Sequence, residues 1–576
     1  MQKTIRRREF TQVCEFGQPI LPLLQRIYSA RGIAHEHELH YQLAHLHKPG
    51  FKGLAEAVSL LTDAVVAQAK IIIVGDFDAD GATSSALAVL ALRAMGLSNV
   101  DFLVPNRFEY GYGLTPEIVA VAAAQHPDII LTVDNGISSI EGVDAAHELG
   151  IAVIVTDHHL PGTQLPDADA IVNPNQPGCE FPSKNLAGVG VIFYVMNALR
   201  GELRQIGWFE ENGIPEPNMA NFLDLVALGT VADVVPLDHN NRILVAQGLE
   251  RIRAGRCRPG IKALIDIAGK QAQKIMACDF GFAIGPRLNA AGRLDDMSLG
   301  IQCLLCESDE LAREMAAQLD ELNRDRKAIE TGMQHEAMGM LQKILSANMQ
   351  DLPWGVCLFD ETWHQGVIGI LASRIKDKYH RPAIVFADAG DGEIKGSARS
   401  IPGLHIRDAL DAIAARHPQL LQKFGGHAMA AGMSLKRENF DAFAQAFDQE
   451  VRRQLTESDL QAIIISDGEL AMQDLSLQTA EQIRNAGPWG QHFPEPVFDG
   501  EFILVQQRKV GEKHLKMTLA LDVNGQQLID AIAFNVDTTI WPNPAVQRVR
   551  LAYKLDINEF RGNTQLQLLV DYLEPL

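Results

Sequence analysis

Three apolar runs in this chain each end in acid. IIIVGDFDADG at 71–81 closes on Asp76, Asp78 and Asp80, DIILTVDNG delivers Asp134, and IAVIVTDHH delivers Asp157, His158 and His159. Like charges a few ångströms apart repel strongly in a partly buried site, so such a gathering needs compensation, and divalent cations supply it most economically. Asp78 and Asp80, two apart where a strand leaves its sheet, can point into one crevice. With Asp134, and with His158 as a nitrogen donor, they make a hard ligand set suited to Mg2+ or Mn2+. Asp233, in NFLDLVALGTVADVVPLDHNNR, is the candidate to close the cage. A pair of such ions, about 3.5–4 Å apart, activates a water for in-line attack on phosphorus and neutralises the leaving oxygen. Any one of these aspartates alone reads as a helix cap or turn former; a set at three strand ends does not.

The elements that must position them follow from hydrophobic periodicity. Strands are expected at Ile71–Val74, Asp101–Pro105, Asp128–Val133, Ile151–Thr156 and Ala170–Asn173, with helices at Ala82–Met95, Thr115–Ala124 and Ile140–Leu149. The strands are short, continuous and rich in Val and Ile, as they are when helices cover both faces of a doubly wound parallel sheet. Ligands of such α/β folds sit beyond the carboxyl ends of the strands, which is where the acidic motifs fall. Upstream, residues 1–50 read as a helical lead-in, and its His35, His37, His40, His45 and His47 are better explained by a polar helix face than by a metal. From Asp309 to about Ser346 apolar residues recur at helical spacing, giving one long connecting helix of roughly 55 Å, with Gly332 and Gly339 as points where it can kink. Such a helix would separate two lobes around a groove.

A second, smaller α/β unit is expected from strands at Gly355–Phe359, Ala383–Ala387 and Glu393–Ser397, a helix at Val367–Tyr379, and helices flanking KFGGHAMAAG. His364 reads equally as a group at the lobe interface and as a cap. After Asp467 five or so short strands with Gly and Asn turns suit a small barrel of the OB type, with a plain β-sandwich as the alternative. Trp489, Phe493, Trp541 and Phe560, with Arg508, Lys509, Lys513 and Lys516, are candidates to stack and steer bases there, although aromatics in β-rich units more often belong to the core.

At 576 residues the chain exceeds one hydrophobic core and should form three or four domains. Hydrophobic residues are 47% and charged residues 21%, the composition of an ordinary globular protein. The basic start, MQKTIRRREF, leads into no apolar signal region and no run spans a bilayer, so a cytoplasmic protein without a membrane segment is expected. The 7 scattered cysteines read as reduced thiols, and the lone C-x-x-C at Cys303 and Cys306 looks helical rather than zinc-binding. A net charge of −21 argues against nonspecific coating of duplex DNA but not against a nuclease, because part of the acid excess lies in the proposed metal site.

DFDADG, VDNG, TDHH and ADVVPL resemble, in order and context, the motifs of the DHH phosphoesterase superfamily, and GGHAMAAG resembles the glycine-rich signature of its partner domain, DHHA1. GPRLNAAGR and GSARS are similar to segments of the RecJ branch, the single-strand-specific 5′→3′ exonucleases. The resemblance covers about 50–455 and, with the OB-like unit, nearly the whole chain. It implies a DHH domain at 51–305, a connecting helix at 306–350, a DHHA1 domain at 351–458 and an OB domain at 459–576. It further implies Asp78, Asp80, Asp134, His158 and Asp233 as ligands of two Mg2+ or Mn2+ ions, His159 facing the scissile phosphate, and Asp157 orienting the histidines. The superfamily often has a His where Val74 stands, four residues before Asp78, and Asp76 is the substitute ligand. In the second lobe it implies His427 as a donor to substrate, Gly425 and Gly426 close to a phosphate, and Ser397 and Arg399 near a 5′-terminal phosphate. Arg287, Asn289 and Arg293 would contact the strand.

The function implied is stepwise hydrolysis of single-stranded DNA, threaded between the lobes from a 5′ end, to 5′-mononucleotides, in recombination and repair including mismatch repair. Single-strand DNA-binding protein is the implied partner, and a monomer is expected. The competing enzyme reading is a DHH phosphodiesterase acting on short oligonucleotides or cyclic dinucleotides, or a pyrophosphatase. A non-catalytic scaffold of the same fold should have lost several acids, and here all are present.

Overall fold

Five short strands, two of them buried throughout, organise the metal-ligand candidates. They are Ile71–Gly75 (β1), Val100–Leu103 (β2), Ile129–Val133 (β3), Ala152–Thr156 (β4) and Ala170–Val172 (β5). In this computed structural model, which describes residues 3–9, 16, 20–106, 113–347, 352–522, 524–560 and 562–576, they pair in parallel in the order β2-β1-β3-β4-β5. The strand order reverses beside β1, so the crevice between β1 and β3 is the switch point of the sheet. The register pairs Gly75 with Val133 and Val133 with Thr156, which sets Asp76, Asp134 and Asp157 level at adjacent strand ends.

The chain divides into two compact units, Phe10–Arg324 with Asn485–Glu495, and Met1–Glu9 with Asp325–Arg484 and Pro496–Leu576. The first holds the parallel sheet and the helices Ala79–Ala94 (α1), Gly188–Gln205 (α2), Leu223–Ala232 (α3) and Gly285–Leu294 (α4). α1 begins three residues earlier than the apolar pattern indicates, because the Asp78 side chain caps it by accepting from Asp80 N and Gly81 N at 2.9 and 3.0 Å. Asp80 therefore stands inside the first turn. The helix Asp309–Ala347 (α5) runs 39 residues without a break at Gly332 or Gly339, and the boundary between the two units falls within it. A Cβ at either glycine would meet nothing within 4 Å.

The lead-in departs from expectation. Among the described residues there only Pro22–Ser29 is an α-helix, and the histidine-rich run forms two single turns, Glu36–Leu39 and Leu43–His45, because it carries too few apolar residues to stabilise a longer helix. Thr4–Arg7 is instead a strand, parallel to Ile463–Ser466, with Arg7 bonded to Asp499 at 2.8 Å.

In the second unit Val356–Asp360 (β6), Ala383–Gly390 (β7), Glu393–Arg399 (β8), Lys423–Gly426 (β9) and Ala430–Lys436 (β10) form a mixed sheet in the order β9-β10-β8-β7-β6. KFGGHAMAAG is thus an antiparallel hairpin rather than a loop between helices; its glycines carry no strand propensity, and pairing with β8 supplies the order. Phe498–Val510 (β11), His514–Ala520 (β12), Leu528–Ala533 (β13), Arg548–Phe560 (β14) and Asn563–Pro575 (β15) close into a barrel, β11-β12-β13-β15-β14, so the sandwich alternative is excluded. Trp489 and Phe493 do not belong to it. They stack at 5.1 Å in the first unit, beneath Arg31 and Arg242 and against Tyr28. Trp541 is 6% exposed, and the Phe560 side chain lies outside the described residues. No helix among the described residues is long and apolar enough to cross a membrane.

Candidate metal centre

All six expected ligands converge. Asp76, Asp78 and Asp134 offer oxygens within 4.8 Å of one another, and Asp80, His158 and Asp233 do the same, as do Asp134, His158 and His159. His158 Nε2 lies 3.1 Å from Asp134 Oδ1 and 3.5 Å from Asp233 Oδ2, bridging the groups. That nitrogen is buried and makes no hydrogen bond to a described residue, the geometry of a donor aimed at a shared cation. Carboxylates with one imidazole are a set that suits Mg2+ and Mn2+, so the residues fit the ions.

The backbone is shaped around this cluster. Asp134 leaves β3 with φ +62° and Val234, next to Asp233, has φ +64°, left-handed values that a non-glycine residue rarely adopts and that a β-branched valine adopts least readily. Gly188 opens α2 against Asp134: a Cβ there would stand 2.6 Å from Asp134 Cβ. Its amide and that of Val189 donate to the two Asp80 oxygens at 2.6 and 3.0 Å, so a helix N-terminus holds this carboxylate. Sequence reasoning missed Gly188; the signal was the AGVG preceding an apolar helix. It also missed Asn173 and Asn175, whose side-chain amides donate to the carbonyls of His159 and His158 at 2.9 and 2.6 Å, just past β5.

Burial, then the charge of Asp233, pushes Asp80 up to about 7; burial, then Asp78, does the same to Asp233. Asp134 is driven well above the ordinary carboxylate range by burial and then by Asp80. Without cations this cluster therefore holds protons at neutral pH. Asp157 behaves oppositely: against the effect of its burial, the neighbouring His159 brings it down to about 2. Asp157 Oδ1 lies 2.7 Å from His159 Nδ1, and against burial this partner raises His159 to about 9. Asp157 orients the ring of His159 alone; it reaches His158 only through the backbone N–H, at 2.7 Å. Burial, then His159, lowers His158, which keeps the imidazole neutral as a ligand must be.

The helix α4 serves the centre from behind. Asn289 Oδ1 accepts from Ala79 N at 2.8 Å, inside the DADG turn, and a Cβ at Gly292 would stand 1.9 Å from Phe77 O. Arg287 is engaged with Asp320 at 2.8 Å and donates to Ala283 O at 2.5 Å. Asn289 and Arg287 thus position backbone here, whereas Arg293 stands half-buried in the last turn of the helix.

The remaining candidates lie in the second unit and are brought together by register. Gly432 pairs with Ser397 on one side and Gly425 on the other, and Arg399 pairs with Ala430, whose carbonyl accepts from His427 N at 2.8 Å. Arg399 Nη1 donates to Ser397 Oγ at 3.1 Å, and no described carboxylate pairs with it. Gly426, at φ +144°, would drive a Cβ to 2.5 Å from Ala430 O, so the turn demands glycine. Gly425 faces open space. His364 Nδ1 accepts from Gly366 N at 3.1 Å, a bond within the turn that precedes the helix Ile368–Tyr379, whose N-cap is Val367.

Comparison with known proteins sets this geometry in context. Residues 70–230 match the DHH family, N-terminal domain, 349–453 the DHHA1 domain and 466–572 the RecJ OB domain. A "Single-stranded-DNA-specific exonuclease RecJ" of Dickeya dadantii is 57% identical over 99% of both chains. The crystal structure of RecJ in complex with Mn2+ from Thermus thermophilus superposes with a TM-score of 0.77 at 29% identity, covering 96% of this chain and 76% of that one. The Mg2+ complex of the same protein gives 0.73 at 28%, covering 96% and 75%.

Proposed function

The chain belongs to the RecJ family of single-stranded-DNA-specific exonucleases, and on that premise we propose that it hydrolyses single-stranded DNA from the 5′ end, releasing 5′-mononucleotides. The observation that carries the reading is the convergence of Asp76, Asp78, Asp80, Asp134, His158 and Asp233 from separate elements to within ligand distance. Asp76, Asp78 and Asp134 would hold one divalent cation and Asp80, His158 and Asp233 the other, with Asp134 and His158 near both. Mg2+ or Mn2+, when bound, lowers the pKa of a coordinated water for attack and stabilises the leaving oxygen. His159, its Nδ1 held by Asp157, presents Nε2 to a non-bridging phosphate oxygen. The α2 amides fix Asp80 and leave its outward lone pairs for a ligand.

Polarity rests on the second unit. Arg399 beside Ser397, with Gly425, Gly426 and His427 in register, forms a cationic, Cβ-poor patch matched to a terminal phosphate dianion. The closed barrel is the module to hold further single-stranded DNA. Action in recombination and repair, including mismatch repair, contact with single-strand DNA-binding protein, a monomeric state and a cytoplasmic location belong to the same reading. The test is a strand labelled at the 5′ or the 3′ end and digested with Mg2+ or Mn2+. Early release of 5′-labelled mononucleotide is expected. First release of the 3′ label would overturn the polarity, and cleavage of dinucleotides alone would overturn the substrate.

A further inference from the structure

Phe282 is 87% exposed, the highest value of any large hydrophobic side chain among the described residues, and no packing role accounts for it. It lies in a π-helical turn, Phe280–Ile284, that leads into α4. Such turns store irregular backbone and are frequent at functional sites. This one adjoins the metal centre. A Cβ on Gly285 would stand 3.1 Å from Ala232 Cβ, immediately before Asp233, and one on Gly281 would stand 3.7 Å from Val231. The helix that follows buttons onto the metal-bearing loop through Asn289 and Ala79, roughly 10 Å along the axis from Phe282 at 1.5 Å per residue. Arg287, anchored on Asp320, donates to Ala283 O and so clamps the turn that displays the ring. Val234, 60% exposed at its strained φ, and Leu160, 60% exposed after His159, place further apolar surface directly beside ligand residues.

We propose that Phe282 is a stacking platform for an unpaired base next to the scissile linkage, and so contributes to single-strand specificity; the inference rests on the nuclease reading above. Every base has a π-face, so such a platform is indifferent to sequence. A base inside a duplex has both faces covered by its neighbours, so an aromatic platform rewards an unpaired strand and gives a paired one nothing. Arg287 acts as a positioning residue through the turn.

The test uses the full chain and 5′-phosphorylated strands in which one nucleotide at a time is replaced by an abasic spacer. Phe282→Ala should raise KM for the unmodified strand roughly 5- to 100-fold, with most of the loss in KM rather than kcat. One abasic position should weaken the wild type by a similar factor while affecting Phe282→Ala little, the coupling expected of groups in contact. Phe282→Trp should restore KM. An unchanged KM in Phe282→Ala, or abasic penalties identical in wild type and variant at every position, would overturn the proposal. Binding of the same strands by fluorescence anisotropy without metal carries the same comparison. A wild type that hydrolyses nothing would therefore sink the nuclease reading while the base coupling still decided on Phe282.

Discussion

Replacing Gly188 by Ala separates the folding of this protein from its chemistry. The new methyl would lie 2.6 Å from Asp134 Cβ, 2.8 Å from its Oδ1 and 2.9 Å from its Cα. Carbon atoms pack at about 3.5–4.0 Å, so one partner must yield by about 1 Å. Asp134 has little freedom: its N–H donates to Thr156 O at 3.0 Å and its φ is already +62°. If α2 recedes instead, the 2.6 Å bond from Gly188 N to Asp80 stretches. Either way a ligand leaves its place. Overpacking costs about 1–3 kcal/mol, offset by up to about 1 kcal/mol from the better helix propensity of Ala, for a net destabilisation of roughly 0–3 kcal/mol. A ligand displaced by about 1 Å lowers turnover on the order of 100-fold. Single-turnover digestion of labelled strand at saturating Mn2+, Mn2+ titration calorimetry and thermal melting measure these quantities side by side. A Gly188→Ala protein with wild-type rate and Mn2+ affinity would refute the argument that this contact sets the position of Asp134.

Chelation should abolish hydrolysis, and Mg2+ or Mn2+ at about 100 times its Kd should stabilise the metal-free protein by about 2.7 kcal/mol, seen as a rise in Tm that Asp134→Asn abolishes. In metal-free protein Asp80 and Asp233 titrate near 7, above the unfolded carboxylate. Their folded state binds the extra protons, so this stability is complete below about pH 4 and falls as pH rises through about 7, and melting of chelated protein at about pH 5 and about pH 8 reads the slope. Asp157→Asn should lower kcat about 10- to 100-fold by releasing the His159 ring while the metal-induced rise in Tm persists, because Asp157 belongs to none of the described groups that could hold a metal. Glu450, buried and bonded to Arg453 and Gln454 with Arg416 close by, is held down at about 2. Its contribution to stability is present above about pH 4.5 and lost as pH falls through about 2, so Glu450→Gln should cost about 1–3 kcal/mol at neutral pH and flatten the acid limb of the melting profile.

Where the protein carries its chemistry was readable from local patterns. Continuous Val and Ile runs mark buried parallel strands, and the first charged residue after each run marks where the chain emerges, which located Asp76, Asp134 and Asp157 to the residue. The barrel and the long helix were legible for the same reason, a period carried in the chain itself. The GGHAMAAG hairpin and the two turns of the lead-in were not, since glycines and histidines carry little periodic signal and take their conformation from what they pack against.

The sequence by itself determined which donors exist and at which strand ends they emerge, because apolar runs and the acids that terminate them are local facts. Only the tertiary structure decided which donors lie close enough to share a cation, that Asp157 bonds the His159 ring and not the His158 ring, that Asn289 and Arg287 brace backbone, and that Phe282 is left bare. Those outcomes depend on register between strands far apart in the chain and on a few tenths of an ångström between side chains, and neither leaves a trace in the spacing of residues along it.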